Sequence, residues 1–132
     1  MSLIMAKLFT LGKNERLKSR KLIDQLFAEG KKLNAGFFRM HYIIGESATH
    51  PLAFGIGVGS KTFKRAVDRN RIKRLVRESY RVQKIPLQQK LKESNKTMSV
   101  FFIYTGKIIP SYADAQENIE VAINKLLKLI SK

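Results

Sequence analysis

Large apolar and small residues alternate strictly between residues 52 and 59. One set of positions holds Leu52, Phe54, Ile56 and Val58, and the other holds only Ala53, Gly55, Gly57 and Gly59. A period of two predicts a β-strand, here with one face in a core and one face nearly bare. Glycine weakens a strand, so its repetition indicates the close approach of a ligand, of another backbone or of a tightly packed helix.

Two more segments have the aromatic and β-branched content that is typical of strands. They are Phe37–Ile44 and Met98–Thr105, and each is followed by a glycine. A shorter segment, Lys31–Asn34, is a possible extra strand. The pattern therefore predicts three strands and allows a fourth.

Helical spacing of apolar residues predicts three helices. The first covers Glu15–Gly30, and the last starts at Ser111, with an acidic residue three positions later as in a capping box. The middle helix begins within Thr62–Asp68 and ends before Pro86, which cannot continue it. The polar segment Gln88–Lys96 is predicted to lack a helix or strand.

The order helix, strand, strand, helix, strand, helix predicts an α+β fold, in which one central sheet is covered by helices. A chain of 132 residues suits one domain with a single modest core. We expect residues 1–132 to form one domain, with residues 1–12 as an extended or disordered N-terminal leader.

The net charge of the chain limits the kinds of partner that it can bind. The chain has 26 Lys and Arg against 10 Asp and Glu, a net charge of +16, which implies a polyanionic partner. The longest apolar stretch, Met98–Thr105, is far shorter than the roughly 20 residues of a membrane-spanning helix, so no membrane partner is expected. The absence of Cys fits a reducing compartment, and we expect a cytoplasmic protein.

Half of the net charge is concentrated in the middle helix and its approach. Ten basic residues and two acidic ones lie between Lys61 and Lys84, a net of +8. Five of the basic residues recur every four positions and are predicted to form one stripe: Arg65, Arg69, Lys73, Arg77 and Arg81. The apolar face is predicted to contain Ile72, Leu75, Val76, Ser79 and Tyr80. Such a helix can dock on a sheet and present guanidinium groups to phosphates.

The concentration of positive charge on this helix has three other interpretations. A solvated charged face usually mixes both signs, which this helix does not. A DNA-reading helix belongs to small helical modules, whereas this helix lies between strands, so no DNA partner is expected. For an enzyme, His41 and His50 lack the spacing of a helical zinc site, and the arginines around Asp68 and Glu78 favour charge balancing over acid catalysis. A protein-only nuclease is the remaining enzymatic alternative.

The segment from Arg69 to Glu78, with the sequence RNRIKRLVRE, resembles the signature of the bacterial ribonuclease P protein subunit. The resemblance extends to Gly55–Val58 with Lys61, and to Arg16–Gly30 as the first helix. It implies an α-β sandwich of the kind found in a small-subunit ribosomal protein. It also implies a left-handed crossover between parallel strands around the basic helix.

In function, the resemblance implies an accessory subunit that binds a catalytic RNA and assists removal of the 5′ leader from precursor tRNA. The RNA would perform the reaction with Mg²⁺, and the protein would supply no catalytic residue and no metal site. The expected partners are ribonuclease P RNA and precursor tRNA. The alternative is a general RNA-binding or ribosome-associated module without a role in processing.

The resemblance also implies two sets of site residues. The set that faces the catalytic RNA is Lys61, Arg65, Arg69, Asn70, Arg71, Lys73, Arg74, Arg77 and Arg81. The set that lines a leader-binding cleft between the first helix and the sheet is Ile23, Phe27, Phe38 and Tyr42. Ile23 stands where other members often have an aromatic residue, and Ser60 replaces a frequent lysine. Core packing is the alternative for Phe38 and Tyr42.

Overall fold

The computed structural model of the protein describes residues 20–46 and 52–130. In chain order these residues form helix α1 (Arg20–Glu29), strands β1 (Lys31–Ala35), β2 (Phe38–Glu46) and β3 (Leu52–Val58), helices α2 (Ala66–Gln83) and α3 (Ile85–Glu93), strand β4 (Lys96–Tyr104) and helix α4 (Tyr112–Ile130). The predicted start of the first helix at Glu15 and the predicted leader at residues 1–12 lie outside the described residues.

The four strands form one mixed sheet in the order β1-β2-β4-β3. β2 is antiparallel to both β1 and β4, whereas β3 runs parallel to β4, with Val58 beside Tyr104. The connection from β3 to β4 passes through α2 and α3. The α+β class is therefore confirmed, and the possible strand at Lys31–Asn34 is present as β1.

The core lies on one face of the sheet, which we call the inner face, beneath α2, α3 and α4. At its centre the Phe102 ring is fully buried and makes edge contacts with Phe54 and Phe38, at centroid distances of 5.1 and 5.4 Å. The Tyr80 ring of α2 stacks on Phe54 at 3.9 Å. Aromatic pairs of this kind add specific geometry to the burial of large apolar surfaces, so they fix how α2 is seated on the sheet.

The alternation predicted over residues 52–59 is confirmed in part by the burial of β3, in which Gly55 is also buried and Val58, at the end of the strand, is half-buried. Leu52, Phe54 and Ile56 are buried in the core. The intervening Ala53 and Gly57 face the other side, the outer face, and are half-buried. The strand therefore has the predicted core face and the predicted nearly bare face.

The prediction that Gln88–Lys96 lacks a helix or strand is wrong, because α3 occupies most of this segment and the start of β4 its end. Pro86 lies in the first turn of α3, where its missing N–H would have no intrahelical partner. Leu87 and Leu91, four residues apart, are completely buried against the core. Only these two leucines anchor the helix, so its apolar pattern is too short to stand out from the polar residues around it.

The predicted start of the last helix is confirmed by its capping contact. The backbone N–H of Asp114 donates to Ser111 Oγ at 3.1 Å, which satisfies one of the free donors of the first turn. Of the apolar stripe predicted for α4, Leu127 is half-buried and the other members are buried, namely Ile119, Ala122, Ile123, Leu126 and Ile130; Ala115 is buried with them.

Truncation of two adjacent residues of β4 tests the assignment of the two sheet faces. Phe102→Ala removes a fully buried ring and is expected to lower the free energy of unfolding by about 3–5 kcal/mol. Ile103→Ala, on the half-exposed outer face, is expected to cost about 1–2 kcal/mol. Denaturant unfolding of both variants measures the difference, and equal losses would contradict the assignment.

Candidate nucleic-acid interface

Helix α2 has one buried and one basic face. Ile72, Val76, Ser79 and Tyr80 are buried, as predicted, whereas Leu75 is half-buried. The exposed residues of the predicted RNA-facing set on this helix are Asn70, Arg71, Arg74 and Arg77. The packing of the apolar face against the sheet therefore directs three arginines and an amide to solvent.

The row of basic residues spaced by four does not point outward along its whole length. Four residues advance slightly more than one turn of an α-helix, so such a row winds slowly around the helix. Arg69 and Lys73, near its start, are half-buried at the flank, and Arg77 further along is exposed. The residues that face solvent therefore include Arg77, which belongs to this row, and Asn70 and Arg74, which do not.

Arg69 stabilises the segment that leads into α2. Its Nη1 donates to the main-chain oxygens of Phe63 and Lys64, each at 2.8 Å. Arg65 is the N-cap residue and makes no capping bond through its side chain. The Arg69 guanidinium therefore ties the approach segment to the first turn and holds Lys64 and Arg65 in place. This role was not foreseen from the sequence, where Arg69 is one of several similar arginines.

Two other basic residues of this region are engaged within the protein. Arg81 Nη2 donates to Glu78 Oε2 at 2.9 Å, in an ion pair between neighbouring turns. Lys84 is only 1% exposed, so its charge does not belong to the outward surface. The outward basic surface is therefore centred on the first three turns of α2 and on the exposed Lys61, Lys64 and Arg65 before them.

On the outer face of the sheet, α1 packs across β2 and β4. The Phe27 ring of α1 makes edge contacts with His41 of β2 and Phe101 of β4, at centroid distances of 4.5 and 5.5 Å. Phe27 is nevertheless 42% exposed. Beside α1 the outer face thus presents a partly open aromatic surface, which we call the cleft.

The bare face of β3 borders this cleft. A Cβ atom added to Gly57 would lie 3.0 Å from Cε1 and Cζ of Phe101. The missing side chain therefore leaves room for the ring from the neighbouring strand, rather than for a packed helix. Phe101 itself is half-exposed and forms part of the floor of the cleft.

Two of the four predicted cleft residues lie elsewhere. Phe38 and Tyr42 are only 2% and 7% exposed on the inner face, so they belong to the core and not to the cleft. The physical reason is the pleat of β2, which directs Phe38, Met40 and Tyr42 inward and the residues between them outward. Ile23 and Phe27 of α1 are accessible, as a cleft residue must be.

Phe101 lines the cleft and His41 lies buried beneath Phe27; neither was predicted as a site residue from the sequence. They are partners in the antiparallel register of β2 and β4. Both strands have apolar residues on both faces, so alternation alone does not separate the core face from the other face. The pairing of Met40 with Phe102 on the buried side would have identified them, but this register is visible only in the folded sheet.

The imidazole of His41 is buried although one of its ring nitrogens has no hydrogen-bond partner among the described residues. The residue is 4% exposed, and within the described part of the chain its Nδ1 has no hydrogen-bond partner. Burial lowers the pKa of His41 below its ordinary value of 6.5, and the nearby charges of Lys32 and Arg39 lower it further. The ring is therefore held neutral beneath Phe27.

Within residues 20–46 and 52–130, no group of three or more His, Asp or Glu side chains is arranged to hold a metal ion. None of the described helices is long and apolar enough to cross a membrane.

An α+β domain that directs a row of arginines outward and carries a partly open aromatic cleft has the features of a nucleic-acid-binding protein. A family model described as Ribonuclease P matches residues 11–127. This match covers most of the chain, so the chain belongs to the ribonuclease P protein family.

Individual relatives agree with this assignment. The Ribonuclease P protein component of Porphyromonas gingivalis strain W83 is 33% identical over 121 residues, which cover 89% of this chain and 87% of the relative. In fold, the chain is similar to the RNase P protein of Staphylococcus aureus, with a TM-score of 0.64 at 21% identity over 89% of this chain and 99% of that one. The RNase P protein from Thermotoga maritima gives a TM-score of 0.63 at 24% identity, over 84% and 96% of the two chains.

The buried His41 predicts that stability depends on pH. Because its pKa is lower in the folded chain, the unfolded chain binds more protons once the pH falls below 6.5. The contribution of neutral His41 is therefore complete above pH 6.5 and is lost as the pH falls through the lower pKa of the folded state. In denaturant unfolding between about pH 7.5 and 5.5, His41→Phe is expected to flatten this loss. A variant as sensitive to pH as the wild type would contradict the burial of a neutral ring.

Proposed function

We propose that the chain is the protein subunit of ribonuclease P, an endoribonuclease that removes the 5′ leader from precursor tRNA in the cytoplasm. In this proposal the basic surface of α2 binds the catalytic RNA, and the cleft beside α1 binds the leader. The observation that carries the proposal is a group of four exposed side chains on a helix that is anchored in the core: Asn70, Arg71, Arg74 and Arg77.

The electrostatics of α2 support a folded RNA as the partner. Exposed guanidinium groups donate paired hydrogen bonds to phosphate oxygens, and each neutralised phosphate releases counterions. These contacts read the position of the backbone rather than the sequence of bases. A rigid row of arginines therefore suits a large RNA whose phosphates are held at fixed positions by its own fold.

The cleft supports a different kind of ligand. Its exposed surface combines the ring of Phe27, the ring of Phe101 and the side chain of Ile23, which offer flat apolar contacts. Unpaired bases stack on such surfaces with little dependence on sequence, as required for leaders that differ among precursors. Because α2 packs on the inner face of the sheet and α1 on the outer face, one small domain has separate surfaces for the two RNAs.

The chemistry in this proposal belongs to the RNA. Mg²⁺ bound by the RNA would stabilise charge on the reacting phosphate, and the protein provides no general acid or base. The protein contributes by holding the leader near the catalytic RNA and by offsetting the repulsion between the two polyanions. A lower requirement for Mg²⁺ follows from that charge compensation.

Reconstitution with ribonuclease P RNA tests this function. The purified chain is expected to lower the Mg²⁺ concentration needed for precursor tRNA cleavage and to bind leader-bearing tRNA more tightly than leaderless tRNA in the complex. Phe27→Ala is expected to weaken the binding of leader-bearing tRNA by about tenfold, because one stacking contact is lost, and to leave the binding of leaderless tRNA unchanged. Equal affinity of the wild-type complex for both tRNAs would instead favour a general RNA-binding module.

The control for Phe27 is Phe38, one of the two other aromatic residues predicted for the cleft. Phe38 is buried in the core, so Phe38→Ala is expected to lower the unfolding temperature without discriminating between the two tRNAs. Phe27 is 42% exposed, so its truncation should cost less stability. Loss of leader discrimination in both variants to the same degree would argue against a direct contact at Phe27.

Variants of Arg74 and Arg69 distinguish a role in RNA binding from a role in stabilising the segment that leads into α2. Arg74→Ala removes an exposed guanidinium and is expected to reduce the slope of log affinity against log salt by about 0.7–0.9, with an unchanged unfolding temperature. Arg69→Ala also breaks the bonds to Phe63 and Lys64, so it should lower stability as well as affinity. Binding titrations over a salt series and thermal unfolding measure both, and an unchanged slope for Arg74→Ala would refute a phosphate contact there.

A further inference from the structure

Three chain segments meet where β3 and β4 end. These strands are parallel, so the segment that enters α2 and the loop after β4 leave the sheet at the same end. The Phe63 ring lies 6.0 Å from the Tyr104 ring and joins these two segments. The N–H and Oγ1 of Thr105 donate to the Phe37 oxygen, at 2.7 and 2.9 Å, and add the turn between β1 and β2. We call the surface formed by Phe37, residues 59–65 and residues 105–109 the end surface.

The loop after β4 is held in one conformation. Tyr104 is buried, and its hydroxyl donates to the main-chain oxygen of Ile108 at 2.7 Å. Gly106 lies so close to this ring that a Cβ atom there would overlap the Tyr104 hydroxyl. Pro110 is buried at the end of the loop. The Phe37 N–H likewise donates to Asn118 Oδ1 at 3.0 Å. The side chains displayed here are therefore positioned by the fold.

These fixed segments display apolar side chains to solvent. Ile108 is 72% exposed, the highest value among the large apolar residues of the described chain, and Val67, just outside the end surface in the first turn of α2, is 65% exposed. Phe37 is 41% exposed. Single exposed apolar residues are ordinary, but a group of them on neighbouring rigid segments indicates a contact surface.

The charge around these residues identifies the partner. The exposed basic residues of the end surface are Lys61, Lys64, Arg65 and Lys107. The acidic residues near it are Asp68, which is half-buried, and Asp114, which is exposed at the start of α4. Positive charges interleaved with apolar and aromatic side chains are typical of surfaces that bind unpaired nucleic acid. On a chain of net charge +16, RNA fits this surface better than a protein does.

We propose that the end surface is a second RNA contact, continuous with the basic face of α2 and separate from the cleft. It binds an unpaired strand, with Lys107 on a phosphate and with Phe37 and Ile108 against base faces. This inference rests on the proposed function, because it needs an RNA partner. The strand belongs to ribonuclease P RNA, because the end surface shares the exposed Lys61, Lys64 and Arg65 with the basic surface proposed to bind that RNA.

Crosslinking in the reconstituted complex tests the contact and identifies the strand. The chain has no Cys, so Ile108→Cys carries a single photoreactive group. Labelled ribonuclease P RNA and labelled precursor tRNA are tried in turn; a crosslink to unpaired nucleotides of ribonuclease P RNA supports the proposal, and a crosslink to precursor tRNA alone overturns it. Val121→Cys, on the outward face of α4, is the matched control. Crosslinks from neither position, or equal crosslinks from both, would overturn it.

Affinity provides an independent measurement. Lys107→Ala combined with Ile108→Ser is expected to weaken RNA binding about tenfold and to reduce the salt slope by about 0.7–0.9. The control combines Lys128→Ala with Val121→Ser, which removes the same chemistry from exposed positions of α4 and should leave affinity unchanged. Both double variants should unfold at the wild-type temperature, because all four side chains are exposed.

The outcomes separate this inference from the proposed function. If Arg74→Ala weakens binding but the double variant at Lys107 and Ile108 does not, the end surface is not an RNA contact and the proposed function stands. If the wild-type chain shows no salt-dependent binding of ribonuclease P RNA, both fail. Equal losses in the two double variants would show only a general effect of net charge and would overturn the second contact.

Discussion

The ring of Phe102 is the contact on which the arrangement of the molecule depends. It lies on β4, the strand that bonds to β2 on one side and to β3 on the other, and it touches aromatic rings from both neighbours and from α2. Through Tyr80 this cluster fixes the rotation of α2 about its own axis. The direction of Arg74 and its neighbours is therefore decided in the core, on the opposite side of the helix from these exposed side chains.

The same anchoring allows α2 to carry a charge that would not favour an isolated helix. Like charges one turn apart repel, and the exposed face contains few acids to offset them. Burial of Ile72, Val76 and Tyr80 opposes that repulsion. A polyanion that relieves the repulsion binds the folded chain better than the unfolded chain, so binding and folding stabilise each other.

The parts of this structure that could be predicted from the sequence are those with a strong contrast between faces. The bare face of β3, the buried stripe of α4 and the two sides of α2 each follow from spacing. The faces of β2 could not be separated, because Phe38 and His41 lie in an aromatic strand whose register depends on β4. The bracing role of Arg69 was also hidden, since its acceptors are main-chain oxygens and leave no trace in residue identity.

Gly57 has a consequence for the shape of the cleft that reaches beyond the strand itself. The Phe101 ring lies where a side chain at position 57 would otherwise project. The Phe101 ring thus lies over the main chain of β3 and forms the floor of the cleft beside α1. A larger residue at position 57 would lift that ring toward Phe27, and the cleft would become shallower although no residue of α1 had changed. The depth of the cleft is therefore controlled by the absence of a side chain at position 57, on an edge strand of the sheet.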